Sequence, residues 1–232
     1  MIDMHSHVLP CIDDGARSID ISLKMLEAAK NSGAEIVAAT PHCILRKFNI
    51  DAFLDRRQNA YSSIEQELLH NPLKYPKLVM GAEVLLNEDI TEHENFKKLC
   101  YGSTNYILLE LSSHVSCSVL AEWIYNVSIN GLVPVIAHID RFHDYKRMMS
   151  ELDGIDVVYQ INATRFLGLF SSMSVKNILK NSTKFLVSSD MHNLDSRSFN
   201  MHLAYNKAVR YLPKEMCDMM FGGLAEKILL NK

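Results

Sequence analysis

Seven short runs of apolar, often β-branched residues recur along the chain: Ile2–His5, Ile36–Thr40, Leu78–Val84, Tyr106–Leu111, Val133–His138, Val157–Asn162 and Phe185–Ser189. Runs of this length with few charges are the pattern of buried strands. The segments between them are long enough for helices. Ser18 to Asn31 carries Ile19, Leu23 and Leu26 at helical spacing, with Ser18 placed as an N-cap and Gly33 just past the end. Asp51–His70 and Val119–Ile129 read as helices on looser patterns. Strand alternating with helix predicts parallel β/α units. Seven such units, with no Gly-rich first turn of the dinucleotide-binding kind, predict a closed or nearly closed barrel rather than an open nucleotide-binding sheet.

Composition narrows the picture. The 232 residues hold no repeat, low-complexity tract or Pro/Gly/Ser-rich linker, so one domain over 1–232 is expected. Lys and Arg number 24 against 27 Asp and Glu, and no basic stripe stands out, which argues against a nucleic-acid binder. The longest apolar run, Leu132–Ala137, is far short of a membrane span. No basic segment followed by an apolar core opens the chain, so no secretory signal is expected and the cytoplasm is the expected compartment. Five cysteines (Cys11, Cys43, Cys100, Cys117, Cys217), with no C-x-x-C pair, fit neither a disulfide framework nor a cysteine zinc site.

The polar residues carry the chemistry. His5 and His7 end the first run, His42 follows the second, and Glu83 sits in the third. Glu110 lies in the fourth run, His138 ends the fifth, and Asp190 and His192 follow the seventh. In β/α barrels chemistry gathers at the C-terminal ends of the strands, so six of seven strands deliver a ligand-type side chain to one place. Residues i and i+2 of a strand share a face, which lets His5 and His7 converge on one ion with Asp3 behind them. Each pair alone could equally be a surface coincidence. A carboxylate in an apolar run needs a cation, a hydrogen-bonding partner or a metal; structural pairing explains one such acid easily and three at strand ends poorly. Asp14, in Ile12-Asp13-Asp14-Gly15, reads either as a ligand or as a turn residue before the first helix.

Six segments in order resemble the PHP (polymerase and histidinol phosphatase) superfamily. They are MIDMHSHVLPCIDDGA at the start, ATPH ending at His42, GAE at Gly81–Glu83, LLEL at Leu108–Leu111, PVIAHIDR at Pro134–Arg141 and SSDMHNLDSR at Ser188–Arg197. Within it they look most like the bacterial PHP-type protein-tyrosine phosphatases of capsular and exopolysaccharide regulation. The resemblance implies a distorted (β/α)7, TIM-like barrel with three divalent metals at the C-terminal mouth of the strands, Mn²⁺ foremost and Fe, Mg²⁺ or Zn²⁺ as alternatives. Carried over residue by residue, His5, His7, Glu83 and Asp190 would hold one metal. Glu83 would bridge to a second, completed by Glu110 and His138. Asp14, His42 and His192 would hold the third. Arg141 and Arg197 fall where the family binds phosphate. The implied substrate is a phosphotyrosine-bearing protein such as the Tyr-rich tail of a bacterial tyrosine kinase.

The residue types agree with that chemistry. Imidazole and carboxylate without thiolate suit Mn, Fe, Zn or Mg. Clustered cations turn bound water into hydroxide near neutral pH and clamp phosphoryl oxygens, while the two arginines add fork-shaped donors. A competing mechanism lies in Cys11-Ile12-Asp13-Asp14-Gly15-Ala16-Arg17-Ser18, which fits the C-x5-R-S signature of cysteine-dependent phosphatases. Two aspartates in that loop oppose thiolate formation and phosphate binding. Three further readings stay open: a small-molecule phosphatase such as histidinol-phosphate phosphatase, an amidohydrolase, and an inactive metal-binding module.

Overall fold

The computed structural model describes residues 1–46, 49–180, 182 and 184–230. The seven apolar runs become nine strands: β1 (Ile2–Ser6), β2 (Ile36–Ala39), β3 (His42–Cys43), β4 (Lys77–Met80), β5 (Glu83–Leu86), β6 (Tyr106–Leu111), β7 (Val133–Ile136), β8 (Val158–Asn162) and β9 (Phe185–Ser188). Every pairing is parallel. They form a three-stranded sheet in the order β1-β2-β4 and a six-stranded sheet in the order β3-β5-β6-β7-β8-β9.

One run, Leu78–Val84, is split into β4 and β5, and the short β3 follows the second run beyond its expected end at Thr40; the cause is local. Pro41 has no N–H to give a ladder, and it separates β2 from β3. Gly81-Ala82 separates β4 from β5 at the same level. The pair stays linked through the break, since Gly81 N–H donates to Ala39 O and Glu83 N–H to Pro41 O. At the other seam, Ser6 forms a parallel bridge with Met191. There His7 N–H donates to Met191 O and Asp190 N–H to His5 O, both at 2.9 Å. Two sheets meeting at a kink and a bridge, rather than one closed ring of strands, is the pairing among the described residues.

Helices cover the sheets: α1 (Ile19–Asn31), α2 (Ile50–His70), α3 (Cys117–Ile129), α4 (Tyr145–Glu151), α5 (Ser171–Leu179), α6 (Met201–Ala208), α7 (Lys214–Asp218) and α8 (Leu224–Leu230). The Ser18 side chain accepts from Ile21 N–H and caps α1, satisfying one of its orphan donors. The buried face of α1 differs from the expected one: Ser22, Met25, Leu26 and Ala29 face inward, while Ile19 is 45% exposed. The Ser22 hydroxyl explains its inward place, because it donates to Val8 O. A large apolar cluster joins strands and helices, and a smaller one gathers Met4, Leu108, Val135 and Leu186 from the strands with Ala225 and Ile228 of α8. No helix among the described residues is long and apolar enough to cross a membrane.

Candidate metal centre

β1 delivers the first two imidazoles. His5 and His7 are fully buried, and their Nε2 atoms lie 3.2 Å apart. β5 starts on Glu83, which is buried beneath them: its Oε2 lies 3.2 Å from each of those Nε2 atoms and 2.9 Å from His42 Nδ1. His138, just past β7, reaches Glu83 Oε1 with Nε2 at 2.8 Å, and Glu110 on β6 stands 3.7 Å from the same nitrogen. Asp190, just past β9, lies 3.6 Å from His5 and 3.7 Å from His7. The exposed Asp14 faces His42 Nε2 at 3.4 Å and His192 Nε2 at 3.5 Å. The structure thus brings all nine expected ligands to one place.

Three groups within it have ligand atoms close enough for one ion each. The first is His7, Asp14, His42 and His192; the second is His5, His7 and Asp190; the third is His42, Glu83 and Glu110. This partition differs from the expected one in three respects: Glu83 does not stand with His5, His7 and Asp190, and two other residues change groups. His7 joins the Asp14 set, and His42 rather than His138 stands with Glu83 and Glu110.

The backbone is bent to achieve this. His138 (φ 28°) and Asp190 (φ 53°) both occupy the left-handed region, which is unfavourable for non-glycine residues. Both sit where a strand ends, so each turn redirects a ligand side chain into the mouth; strain of this kind concentrates at functional sites.

Electrostatics is that of a dense ion cluster. Burial alone would push His5 down, but Glu83 and Asp190 prevail and hold it at about 10. His42 is likewise held at about 9 against burial, mainly by Glu83. Glu83 is kept well below the usual carboxylate range by the rings around it, again against burial. Burial and then Glu83 push Glu110 up. His192 falls to about 4 through burial and the neighbouring His7.

The residues fit divalent cations. The donors are imidazole and carboxylate only, the set that suits Mn, Fe, Zn or Mg. Glu83 Oε2 and His192 Nε2 are buried with no directed hydrogen bond among the described residues. Buried polar atoms are rarely left so, and a cation in each of their two groups would satisfy them. Cys43, beside His42, is buried in the apolar cluster with its thiol pushed up to about 12 by that burial, so thiolate does not enter the set.

Both arginines reach Asp190. Arg197 Nη2 donates to its two oxygens at 2.9 Å, and Arg141 Nη1 donates to Oδ2 at 3.1 Å. Arg197 Nη1 also lies 3.7 Å from Asp14. Each guanidinium keeps a face to solvent, Arg141 being 55% exposed and Arg197 37%.

Three residues that hydrogen-bond to the candidate ligands escaped the sequence reading. Asp13 Oδ2 accepts from His7 Nδ1 at 2.7 Å and from His42 N–H at 3.1 Å, and its Oδ1 accepts from Gly15 N–H. Gln160 Oε1 pairs with His5 Nδ1 at 3.2 Å and accepts His138 N–H. Its amide donates to Asn162 Oδ1, and Asn162 Nδ2 donates to Asp190 Oδ2. Gln160 and Asn162 are polar at i and i+2 within the buried β8, and that alternation was the available signal. Asp3 is a correction: it touches neither ring. Its carboxylate accepts from Ser189 and from the His5 backbone N–H, tying β1 to the end of β9, and burial raises it to about 6.

The Cys11 loop is not a phosphate cradle. Cys11 is exposed at φ 58°, its thiol donates to Arg17 O, and the Gly15 N–H is taken by Asp13. His114, Phe142 and His143 line a cavity beside Glu110 and His138.

Parallel β/α architecture, a histidine- and acid-rich cluster at the strand ends and paired arginines make this a candidate metal centre of the hydrolase type. A family model described as "Capsular polysaccharide synthesis, CpsB/CapC" matches residues 1–230, and the chain belongs to that family. It is 29% identical over 244 residues to the tyrosine-protein phosphatase CpsB of Streptococcus agalactiae serotype V, covering 100% of this chain and 99% of that protein. It is 27% identical over 241 residues to the tyrosine-protein phosphatase YwqE of Bacillus subtilis, covering 100% and 92%. Among solved structures it resembles one reported with YwqE from Bacillus subtilis and CpsB from Streptococcus pneumoniae, described as unique metal-dependent tyrosine phosphatases. That match has a TM-score of 0.84 and 25% identity, covering 100% of this chain and 95% of that one.

Proposed function

We propose that this chain is a metal-dependent protein-tyrosine phosphatase. The observation that carries the reading is the convergence of eight imidazole and carboxylate groups, with His138 against Glu83, and of two arginines anchored on one of the eight, Asp190. Its relatives named tyrosine-protein phosphatase support it. His5, His7, Glu83 and Asp190 would hold one cation, Glu83, Glu110 and His138 a second, and Asp14, His42 and His192 a third, with Mn²⁺ foremost. When bound, such cations acidify water and neutralise phosphoryl charge. Arg141 and Arg197 orient the phosphoryl oxygens with charge-assisted, fork-shaped donors. A phenol leaves with a pKa of about 10, so a strong general acid is dispensable.

The substrate we propose is a phosphotyrosyl protein, the Tyr-rich tail of a bacterial tyrosine kinase, and the family's description, capsular polysaccharide synthesis, supports a role in capsular or exopolysaccharide synthesis. We read the whole chain as one cytoplasmic domain and the two sheets as one distorted seven-stranded barrel, with β2/β3 and β4/β5 as kinked single strands. The test is hydrolysis of a phosphotyrosyl peptide after chelation, with and without added Mn²⁺. Loss on chelation, recovery with Mn²⁺, collapse in Asp14→Ala and near-normal turnover in Cys11→Ser are expected. Chelator-resistant activity that vanishes in Cys11→Ser would overturn the metal mechanism.

A further inference from the structure

Beside the metal centre lies a cavity of about 820 Å³, inside the ~300–1,000 Å³ range of ligand pockets. It shares Arg141, Asp190 and Arg197 with the centre, so whatever fills it is contiguous with the bound phosphoryl group. Apart from Asn162, which holds Asp190, the rest of its wall has no part in the proposed chemistry. Arg165, on the short turn Ala163–Phe166, has no hydrogen bond or ion pair among the described residues, and its Nε is buried without a partner. Asn200 contributes a second buried, unpartnered atom, Oδ1. At the rim Leu169 is 95% exposed and Phe170 74%, two large apolar side chains with little to cover them. Ser171 and Ser174 bring the first turn of α5, the positive end of a helix, to the same wall.

The opposing charges are accounted for. Asp190 is occupied by both other arginines, and Asp140 accepts the Asn162 N–H. Arg165 is therefore the one guanidinium lining the cavity without a close ion pair among the described residues; the anion it faces is Asp140, whose carboxyl its charge lowers against the larger effect of burial. A guanidinium is a planar fork matched to carboxylate and phosphate, and burying its donors unpaired is unfavourable.

We propose that this cavity is a second anion subsite, in which Arg165 binds a carboxylate or second phosphate close to the scissile phosphotyrosine while Leu169 and Phe170 pack the apolar part of that residue. The inference rests on the phosphatase reading and adds a substrate class to it: phosphotyrosyl segments with a neighbouring negative charge.

The test uses the Mn²⁺-loaded full chain and four substrates. These are p-nitrophenyl phosphate, a phosphotyrosyl peptide with neutral flanks, the same peptide with acidic flanks, and one with a second phosphotyrosine. Arg165→Gln is expected to raise KM for the anion-flanked peptides by roughly tenfold to a hundredfold. Its kcat, and its turnover of p-nitrophenyl phosphate and the neutral peptide, stay at the wild-type level. Arg165→Lys recovers part of the loss, and Phe170→Ala raises peptide KM without touching p-nitrophenyl phosphate. Whichever flanked peptide loses more in Arg165→Gln identifies the anion. Equal losses on all four substrates, or no loss on any, overturn the subsite while leaving the phosphatase reading intact. No Mn²⁺-dependent turnover by the wild type overturns the phosphatase reading, and the subsite with it.

Discussion

One carboxylate oxygen, Asp13 Oδ2, accepts from both the His7 ring at 2.7 Å and the His42 backbone N–H at 3.1 Å. By holding His7 Nδ1–H it fixes the tautomer and leaves Nε2 to face Glu83 and Asp190. The ring makes the carboxylate more acidic, and Asp13 falls to about 2 against the effect of burial. Asp13→Ala should therefore weaken Mn²⁺ binding by about 10–100-fold. Isothermal titration of chelated, repurified protein checks this. Wild-type affinity in Asp13→Ala would show that His7 needs no such support.

Gln160 does the same for two other ligands at once. Its Oε1 accepts the His138 backbone N–H, which stabilises the left-handed turn there, and pairs with His5 Nδ1. Gln160→Leu keeps the bulk and removes the acceptor, leaving two buried donors. Each such orphan costs about 1–3 kcal/mol. A fall in thermal midpoint together with weaker Mn²⁺ binding is expected, by circular dichroism and titration. Stability falling without any change in metal binding would confine Gln160 to packing.

These two residues also mark the limit of what the sequence discloses. Ligand types at the ends of apolar runs were legible because strand ends in a β/α unit share one edge, so position along the chain implies proximity. Partners were not, because Asp13 looks like any turn aspartate and Gln160 becomes meaningful only when β8 lies beside β7. Asp3 misled for the opposite reason: it shares the His5 and His7 side of the strand by alternation, yet the bulge between Asp3 and Ser6 and the nearby Ser189 donors turned it toward β9. Pro41, a ladder-breaking residue, bounds the second run at Thr40, and β3 beyond it is too short to read as a run; the break at Gly81 falls inside a run, Leu78–Val84, that reads as apolar almost throughout.

Gly15 tests how tightly the Asp14 loop is held. A Cβ there would meet His7 O at 2.1 Å and His7 Cβ at 2.5 Å, and the backbone atom has no room to yield. Ala16 N–H also donates to His7 O, so the loop is stitched to the strand end at the same point. Gly15→Ala should push the loop away and carry Asp14 off His42 and His192. Destabilisation of about 1–3 kcal/mol is expected from overpacking of this kind, with at least one fewer Mn²⁺ bound per chain. Unchanged metal stoichiometry, read by elemental analysis, would mean the loop relaxes without moving Asp14.

Tyr101 gives the fold an alkaline limit. It is fully buried beneath β1, where its hydroxyl donates to Met4 O at 2.9 Å. Burial, with Glu83 and Asp3 adding to it, raises its ionisation well above the usual value. In the unfolded chain a tyrosine ionises near pH ~10, so above that pH the unfolded chain sheds a proton the native state still holds. Stability from this residue is therefore complete below about pH 10 and is lost as pH rises toward the folded value. Tyr159, raised to about 12 mainly by burial, acts in the same direction. Tyr101→Phe should cost about 1 kcal/mol at pH 8 through the lost hydrogen bond. Above pH 10 its stability should fall less steeply, by up to one proton or about 1.4 kcal/mol per pH unit. Urea unfolding from pH 8 to 11 measures both quantities; parallel slopes for the two proteins would show that another group sets the alkaline limit.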